Sequence, residues 1–381
     1  MKIGIVCYPT FGGSGVVATE LGKALADEGH QVHFITYSQP ARLDFFSANL
    51  FYHEVSVRDY PLFDYAPYES ALASKLVDVV HFEQLDILHV HYAIPHASAA
   101  FMAKQILETY GIHIPFVTTL HGTDITLVGK DPTYKPVVTF SINKSDGVTT
   151  VSQSLKDDTE QHFEIKREIC VIPNFIDFSR FSLKPKDHFK KAIAPNNERI
   201  LIHTSNFRKV KNTADVIRTF QKIQEKIPSK LLMVGDGPER AADEQLCRSL
   251  GICDHVRFLG KQDAIEEILS VSDLFLMPSQ SESFGLAALE AMACKVPAIT
   301  SNAGGLPELN VDGFSGYMSK VGDVDDMAAK AISILENEET LKRFKENAFT
   351  RAKDFDLKKI LPLYVDYYAK TIEAQFKLNE V

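Results

Sequence analysis

The chain has 381 residues, 45% hydrophobic and 24% charged, with a formal net charge of −9 at pH 7. That length exceeds one ordinary core and fits two domains, and an acidic balance without a basic run gives no electrostatic footprint for nucleic acid. The five cysteines are odd in number and form no C-x-x-C pair, which argues for reduced thiols in the cytoplasm. No run approaches the length of apolar sequence that a membrane span needs.

Met1 and Lys2 lead straight into the apolar run 3–7, too short for the core of a signal peptide. Similar runs follow at 32–37, 87–91, 116–120, 148–151 and 170–172, with helical stretches between them. This alternation predicts an α/β domain with a parallel sheet covered on both faces. A second series starts at residue 200, with runs at 200–204, 231–234, 256–259, 274–277 and 298–301. The expected organisation is a first Rossmann-like domain over 1–175, a connection over 176–198, and a second Rossmann-like domain over 199–357. The connection contains Lys184-Pro185-Lys186-Asp187 and Pro195-Asn196-Asn197. Two doubly wound halves facing a cleft bring strand C-terminal ends and helix N-termini together, where ligands bind.

Gly13-x-Gly15-x-x-Ala18, after a strand and before a helix, nominally satisfies the dinucleotide fingerprint. The loop from Tyr8 to Gly12 is longer than that fingerprint allows, and the second strand ends in Tyr37-Ser38 without a ribose-binding carboxylate. What remains is a glycine loop whose backbone can approach a ligand closely, with Ser14 as a hydroxyl. His89 and His91 fall on one face of a strand with no nearby carboxylate or cysteine set, so a buried hydrogen-bonded pair is expected and no metal is assigned. Tyr92 and His121 lie at the C-terminal ends of two strands, the ligand-binding edge of such sheets.

In the second series, Ser205 to Lys211 brings Arg208, Lys209 and Lys211 to a strand end, where cations can neutralise a diphosphate; the alternative is a solvated basic loop. The stretch from Ser279 to Ala293 reads as a loop feeding a mostly apolar helix, with Ser279, Ser281 and Ser283 as candidate N-caps. Glu282 and Glu290 are too far apart, about 12 Å along a helix, for a hydrolase carboxylate pair, which needs about 5 to 9.5 Å. They read as two contacts along one extended ligand, against an alternative of an exposed Glu282 and a surface-facing Glu290. Asp323-Val324-Asp325 reads as a helix cap rather than a metal motif.

The E-x7-E spacing within Ser-Glu-Ser-Phe-Gly-Leu resembles the retaining glycosyltransferases of family 4. So do Cys7-Tyr8-Pro9 with Gly12-Gly13-Ser14-Gly15, His89-Val90-His91-Tyr92-Ala93, His121-Gly122-Thr123-Asp124, Ser205 to Lys211 and Gly235-Asp236-Gly237-Pro238. The resemblance covers nearly the whole chain. It implies the GT-B fold, with a C-terminal helix over 358–381 returning to the first domain. It implies transfer of N-acetylglucosamine from UDP-N-acetylglucosamine to a small anionic acceptor with retained configuration, L-malate being favoured over inositol phosphate, as the first step of bacillithiol biosynthesis. It implies catalytic roles for His121, Arg208, Lys211 and Glu282. Donor contacts fall to Gly13, Asn206, Ser283, Phe284, Gly285, Leu286 and Glu290, and acceptor contacts to Ser14, Tyr92 and Thr123. Many relatives carry an arginine where this chain has Asn206, which leaves open whether Arg208 replaces it. Lys295 stands where relatives usually have glycine.

No cofactor or metal is expected beyond the nucleotide-sugar co-substrate. A membrane partner is not expected, because the early helical stretch over 16–28 bears only Lys23 as a cation. The sequence leaves open the oligomeric state, a homo-oligomer included, and a noncatalytic nucleotide-sugar sensor of the same fold is the rival reading.

Overall fold

A computed structural model describes residues 1–43, 47–57, 65–183 and 186–379. Seven strands form the first sheet: β1 (Lys2–Val6), β2 (Gln31–Thr36), β3 (Leu50–Glu54), β4 (Ile87–His91), β5 (Phe116–Leu120), β6 (Gly147–Thr150) and β7 (Ile169–Val171). They lie in the order β3-β2-β1-β4-β5-β6-β7, every neighbouring pair parallel. The second sheet has six: β8 (Arg199–Ser205), β9 (Ser229–Gly235), β10 (Val256–Gly260), β11 (Leu274–Met277), β12 (Ala298–Ser301) and β13 (Gly316–Ser319). Their order is β10-β9-β8-β11-β12-β13, again all parallel. Strand order reverses beside β1 in one sheet and beside β8 in the other, which makes those strand ends the places where an open α/β sheet admits a ligand.

The strands form because central positions are apolar on both faces. Every residue of β4 and β5 is buried, the pattern of strands covered by helices above and below. In the first unit Ile35, Leu88 and Phe116 pack with Leu72, Leu76 and Val80 of the helix Tyr68–Glu83. In the second, Leu201, Leu231, Leu274 and Phe220 share a core with Ile334 and Phe344. Each such buried side chain contributes about 1.5 to 3 kcal/mol by leaving water.

The chain divides into two compact units, Met1–Asn174 with Lys358–Val381, and Phe175–Leu357. Residues 176–198, expected as a connection, count with the second unit: Ile176 forms a parallel bridge with Asp356, and Asp187–Ile193 is a short helix. Of the linker motif, Lys184 and Pro185 lie outside the described residues.

The last helix, Leu357–Asn379, packs on the first unit. Tyr364 and Tyr368 are fully buried there. Tyr368 Oη and His89 Nδ1 share a hydrogen bond of 2.6 Å, and Tyr367 Oη accepts from Val148 N (2.9 Å) while donating to Val148 O (3.1 Å). Gly147 is glycine for a reason: a Cβ there would stand 2.8 Å from the Tyr367 ring.

Candidate active site

In the first unit the strand ends carry a glycine loop, a strained tyrosine and a chain of histidines. The helix Gly13–Asp27 starts at Gly12 with no side-chain cap, so its first amides face outward. Gly15 lets the loop fold tightly, since a Cβ would lie 2.5 Å from the carbonyl oxygens of both Tyr8 and Thr10. Ser14 Oγ accepts a 2.6 Å hydrogen bond from Tyr92 Oη. Tyr92 has φ 84°, a conformation that costs a non-glycine residue on the order of 1 to 3 kcal/mol. Three bonds hold it: Tyr92 N to Thr119 O (2.9 Å), the Ser14 contact, and Ala93 N to Asp124 Oδ2 (3.0 Å). The Tyr8 ring packs edge-on against Tyr92, with centroids 5.2 Å apart, and His96 lies behind Tyr8.

His89 and His91 are the buried, hydrogen-bonded pair expected from the strand. His89 Nε2 bonds Thr119 Oγ1 (2.7 Å), and His91 Nδ1 bonds His121 Nε2 (2.7 Å) across stacked rings. Burial drives all three imidazoles toward the neutral form, His89 and His121 down to about 3. His121 keeps an exposed edge and therefore offers a neutral ring to a ligand. Thr123, exposed, opens the single helical turn Thr123–Leu127 that follows.

Asp124 was quoted within its motif but given no role by the sequence. Its buried carboxylate accepts from the amides of Ala93 (3.0 Å), Gly122 (3.1 Å) and His121 (3.4 Å), tying the Tyr92 and His121 loops together. The local signal is a carboxylate two or three residues after the amides it accepts from. Burial pushes this carboxyl up from 3.8 to about 6, the amides pulling it partly back. Between about pH 4 and 6 the folded chain therefore holds more protons here than the unfolded chain, and this group's contribution to stability falls as pH rises. Asp124→Asn removes the titration. Wild-type stability relative to that variant is expected to fall by about 2 kcal/mol between pH 4 and 7, measured by urea unfolding; a difference that does not change with pH would refute the raised value.

In the second unit, β8 runs into Ser205-Asn206-Phe207-Arg208 and the turn Lys209–Lys211, ahead of the helix Thr213–Gln224. Asn206 and Arg208 are exposed, and among the described residues no partner of the Arg208 guanidinium is found. The loop is seated on glycines: a Cβ at Gly235 would lie 1.8 Å from Ser205 O, and one at Gly237 2.0 Å from Asn206 O. Lys211 and Glu282, given separate ligands by the sequence reading, meet each other. Lys211 Nζ donates to Glu282 Oε1 at 2.5 Å, and Ser279 Oγ donates to the same oxygen at 2.9 Å. Gln280 N donates to Val210 O (2.8 Å), so the two loops are joined through backbone as well.

The serine caps are a correction. The helix Leu286–Ala293 has Gly285 as its N-cap, with φ 99° and no side-chain cap. Only glycine suits that backbone, and a Cβ there would also strike Leu306 Cδ2 at 2.6 Å. Glu282 thus lies in the loop, Glu290 alone on the helix and half-buried, while Phe284 anchors the loop edge-on against Phe355. Ser283 and Leu286 are half-buried beside it. The loop rests on Gly304 and Gly305, which the sequence reading passed over. Gly305 N donates to Glu282 O (2.8 Å), and a Cβ at Gly304 would lie 2.0 Å from that oxygen. Asp323 caps the helix Val324–Leu335, its carboxylate accepting from Asp326 N at 3.0 Å. Lys295 does adopt the left-handed conformation, φ 61°, and its ammonium bonds Glu346 (2.7 Å); that exposed pair is worth about 0 to 1 kcal/mol, similar in size to the backbone penalty.

Comparison with known proteins fits this division. Residues 11–180 match the Glycosyltransferase Family 4 profile and residues 184–351 the profile for glycosyl transferases group 1. The chain is 48% identical to the N-acetyl-alpha-D-glucosaminyl L-malate synthase of Bacillus anthracis, over 97% of this chain and 96% of that one. It belongs to glycosyltransferase family 4. A relative from Catenulispora acidiphila, D-inositol 3-phosphate glycosyltransferase 2, is 26% identical over 95% of this chain and 91% of its own. Among solved structures, HepE of Anabaena in complex with UDP and glucose superposes with a TM-score of 0.82 at 22% identity, covering 97% of this chain and 99% of that one. Sucrose-phosphate synthase from Thermosynechococcus elongatus gives 0.80 at 20%, covering 98% and 100%. These likenesses establish two Rossmann-like domains of the GT-B type. As a family 4 glycosyltransferase, the chain is a retaining enzyme that uses a UDP-sugar.

Proposed function

We propose that the enzyme transfers N-acetylglucosamine from UDP-N-acetylglucosamine to L-malate, with retention, giving N-acetylglucosaminyl malate and UDP. The observation that carries the acceptor is the 48% identity to a malate synthase over nearly all of both chains, against 26% to an inositol phosphate enzyme. The test is mass spectrometry of the purified protein with the donor in excess and both acceptors present. The malate conjugate is the expected main product. A preference for inositol phosphate overturns the acceptor, and no conjugate at all returns the fold to a sensor of nucleotide sugars.

In this reading the second unit holds the donor. Arg208, Lys211 and the amides from Ser283 to Leu286 stabilise the diphosphate as the bond from the anomeric carbon to its oxygen breaks. Asn206 and Gly13 add donor contacts, Phe284 and Gly285 shape the loop, Glu282 touches the sugar hydroxyls and Glu290 the ribose. The first unit supplies the acceptor side through Ser14, Tyr92 and Thr123, with His121 beside the sugar. The attacking hydroxyl forms the new bond on the same face, and its proton passes to the departing phosphate oxygen.

Glu290→Ala is expected to weaken UDP binding by about 1 to 3 kcal/mol in titration calorimetry; unchanged affinity in a folded variant would leave Glu290 a structural role. Because protein cations and helix amides match the diphosphate charge, turnover is expected to survive EDTA treatment. Loss on chelation, restored by magnesium or manganese, would refute that. No helix among the described residues is long and apolar enough to cross a membrane. We place the enzyme in the cytoplasm, where cysteines outside disulfides, as here, stay reduced.

A further inference from the structure

Away from the glycine loop, the first unit gathers two histidines and a glutamate that the transfer reaction does not use. His33 of β2 and His53 of the edge strand β3 point from the same sheet face, because β2 and β3 pair with Ile35 opposite His53 and side chains alternate along a strand. Glu83 ends the helix Tyr68–Glu83, which covers that face. One nitrogen from each ring and one carboxylate oxygen all lie within 4.8 Å of one another, the one such group among the described residues. His33 Nδ1 and His53 Nε2 are already 2.9 Å apart. His53 stands level with Val90 along the strands, but the edge strand β3 is three strand spacings from β4, roughly 14 Å across the sheet, which keeps this group apart from Tyr92 and His121.

We propose that His33, His53 and Glu83 form a zinc site that ties the edge strand β3 to β2 and to the covering helix. Two imidazoles and a carboxylate are a common zinc donor set, with water completing a tetrahedron. Ligands at zinc distances stand about 3.3 Å apart in such a tetrahedron, so the observed spacing needs only small side-chain movements. His53 and Glu83 are half-buried, which leaves them room to make these movements. His33 Nε2 is buried with no hydrogen-bond partner, so turning that ring over sacrifices no protein bond there. Burial lowers both rings, His33 to about 4, and keeps them in the neutral form that binds a metal. The neighbouring cations are otherwise engaged: Lys2 Nζ donates to the Glu83 backbone carbonyl (2.9 Å), and Lys75 pairs with Asp78 (3.2 Å). The Glu83 carboxylate has no ion-pair partner among the described residues.

The test uses the full chain stripped with EDTA and dialysed, then titrated with zinc chloride against a chromophoric chelator. One equivalent is expected to bind, with a rise in Tm, and cobalt(II) is expected to give the visible absorption of a tetrahedral site. His53→Asn and Glu83→Gln, neither in the fully buried core, are each expected to weaken zinc binding at least ~10-fold and to abolish the cobalt band and the Tm rise. Circular dichroism of both variants checks that they fold. Absence of zinc uptake by the wild type overturns the site, as does uptake unchanged in both variants, which would place the metal elsewhere, for example on the exposed Cys253.

Discussion

Lys211→Met is expected to lower kcat/KM by roughly 10²- to 10³-fold, the cost of removing one donor aimed at developing negative charge in a catalytic site. The ammonium is held at 2.5 Å by Glu282, which also accepts from Ser279, so in the free enzyme the pair is neutral. A diphosphate carries more charge than one carboxylate and can draw the ammonium away, leaving Glu282 free to accept from sugar hydroxyls. This exchange separates the two residues experimentally. Lys211→Met is expected to weaken UDP binding along with transfer. Glu282→Gln frees the ammonium, so UDP affinity is expected to hold or rise while transfer falls. If Lys211→Met keeps wild-type turnover, or if both variants lose UDP affinity equally, the lysine serves only to clamp the loop.

Tyr368→Ala is expected to destabilise the first unit by about 3 to 5 kcal/mol, the range for removing a large buried aromatic side chain. The ring is fully buried and packs beside Tyr364 and His89, and its hydroxyl occupies His89 Nδ1. Tyr368→Phe keeps the ring and strands one buried nitrogen, a loss of about 1 to 3 kcal/mol. Two units make a single transition unsafe to assume, so unfolding should be followed by hydrogen exchange of β4 and β6, which belong to the first unit. Exchange there that is no faster in Tyr368→Ala than in wild type would show that the helix adds little.

Most strands were legible in the sequence because they carry continuous apolar runs; β1, β2 and β4 to β12 fall where those runs predict them. The two strands missed, β3 and β13, each form one edge of their sheet, although the opposite edges, β7 and β10, were found. Leu-Phe-Tyr-His-Glu ends in two polar residues and Gly-Tyr-Met-Ser sets two apolar residues between glycine and serine, so neither stands out as an apolar run. Missing β3 also hid the His33 and His53 group, since the reading weighed metal chemistry only at His89 and His91 and at Asp323-Val324-Asp325. At the candidate site the residue types were legible from motifs, but their partners were not. Nothing in the spacing of Lys211 and Glu282, 71 positions apart, shows that they form one pair, and nothing short of the fold shows that Asp124 holds the Tyr92 loop. The helix cap was misread because serine hydroxyls were available, whereas the close approach of Leu306 demands glycine at the start of the helix.

The return of the last helix to the first unit has a consequence for synthesis. A ribosome that has released Asn174 has delivered all seven strands of the first sheet, yet Tyr367 and Tyr368 are still about 200 residues from being made. At about 5 to 20 residues per second this interval lasts on the order of 10 to 40 s. During it His89 and the Val148 amide lack their final partners, and the surface that later receives Tyr364 and Tyr368 lies open to water or to a chaperone. The amino-terminal half of this enzyme is thus the first to emerge and the last to be finished, and truncated chains ending between the two units should be the ones that aggregate.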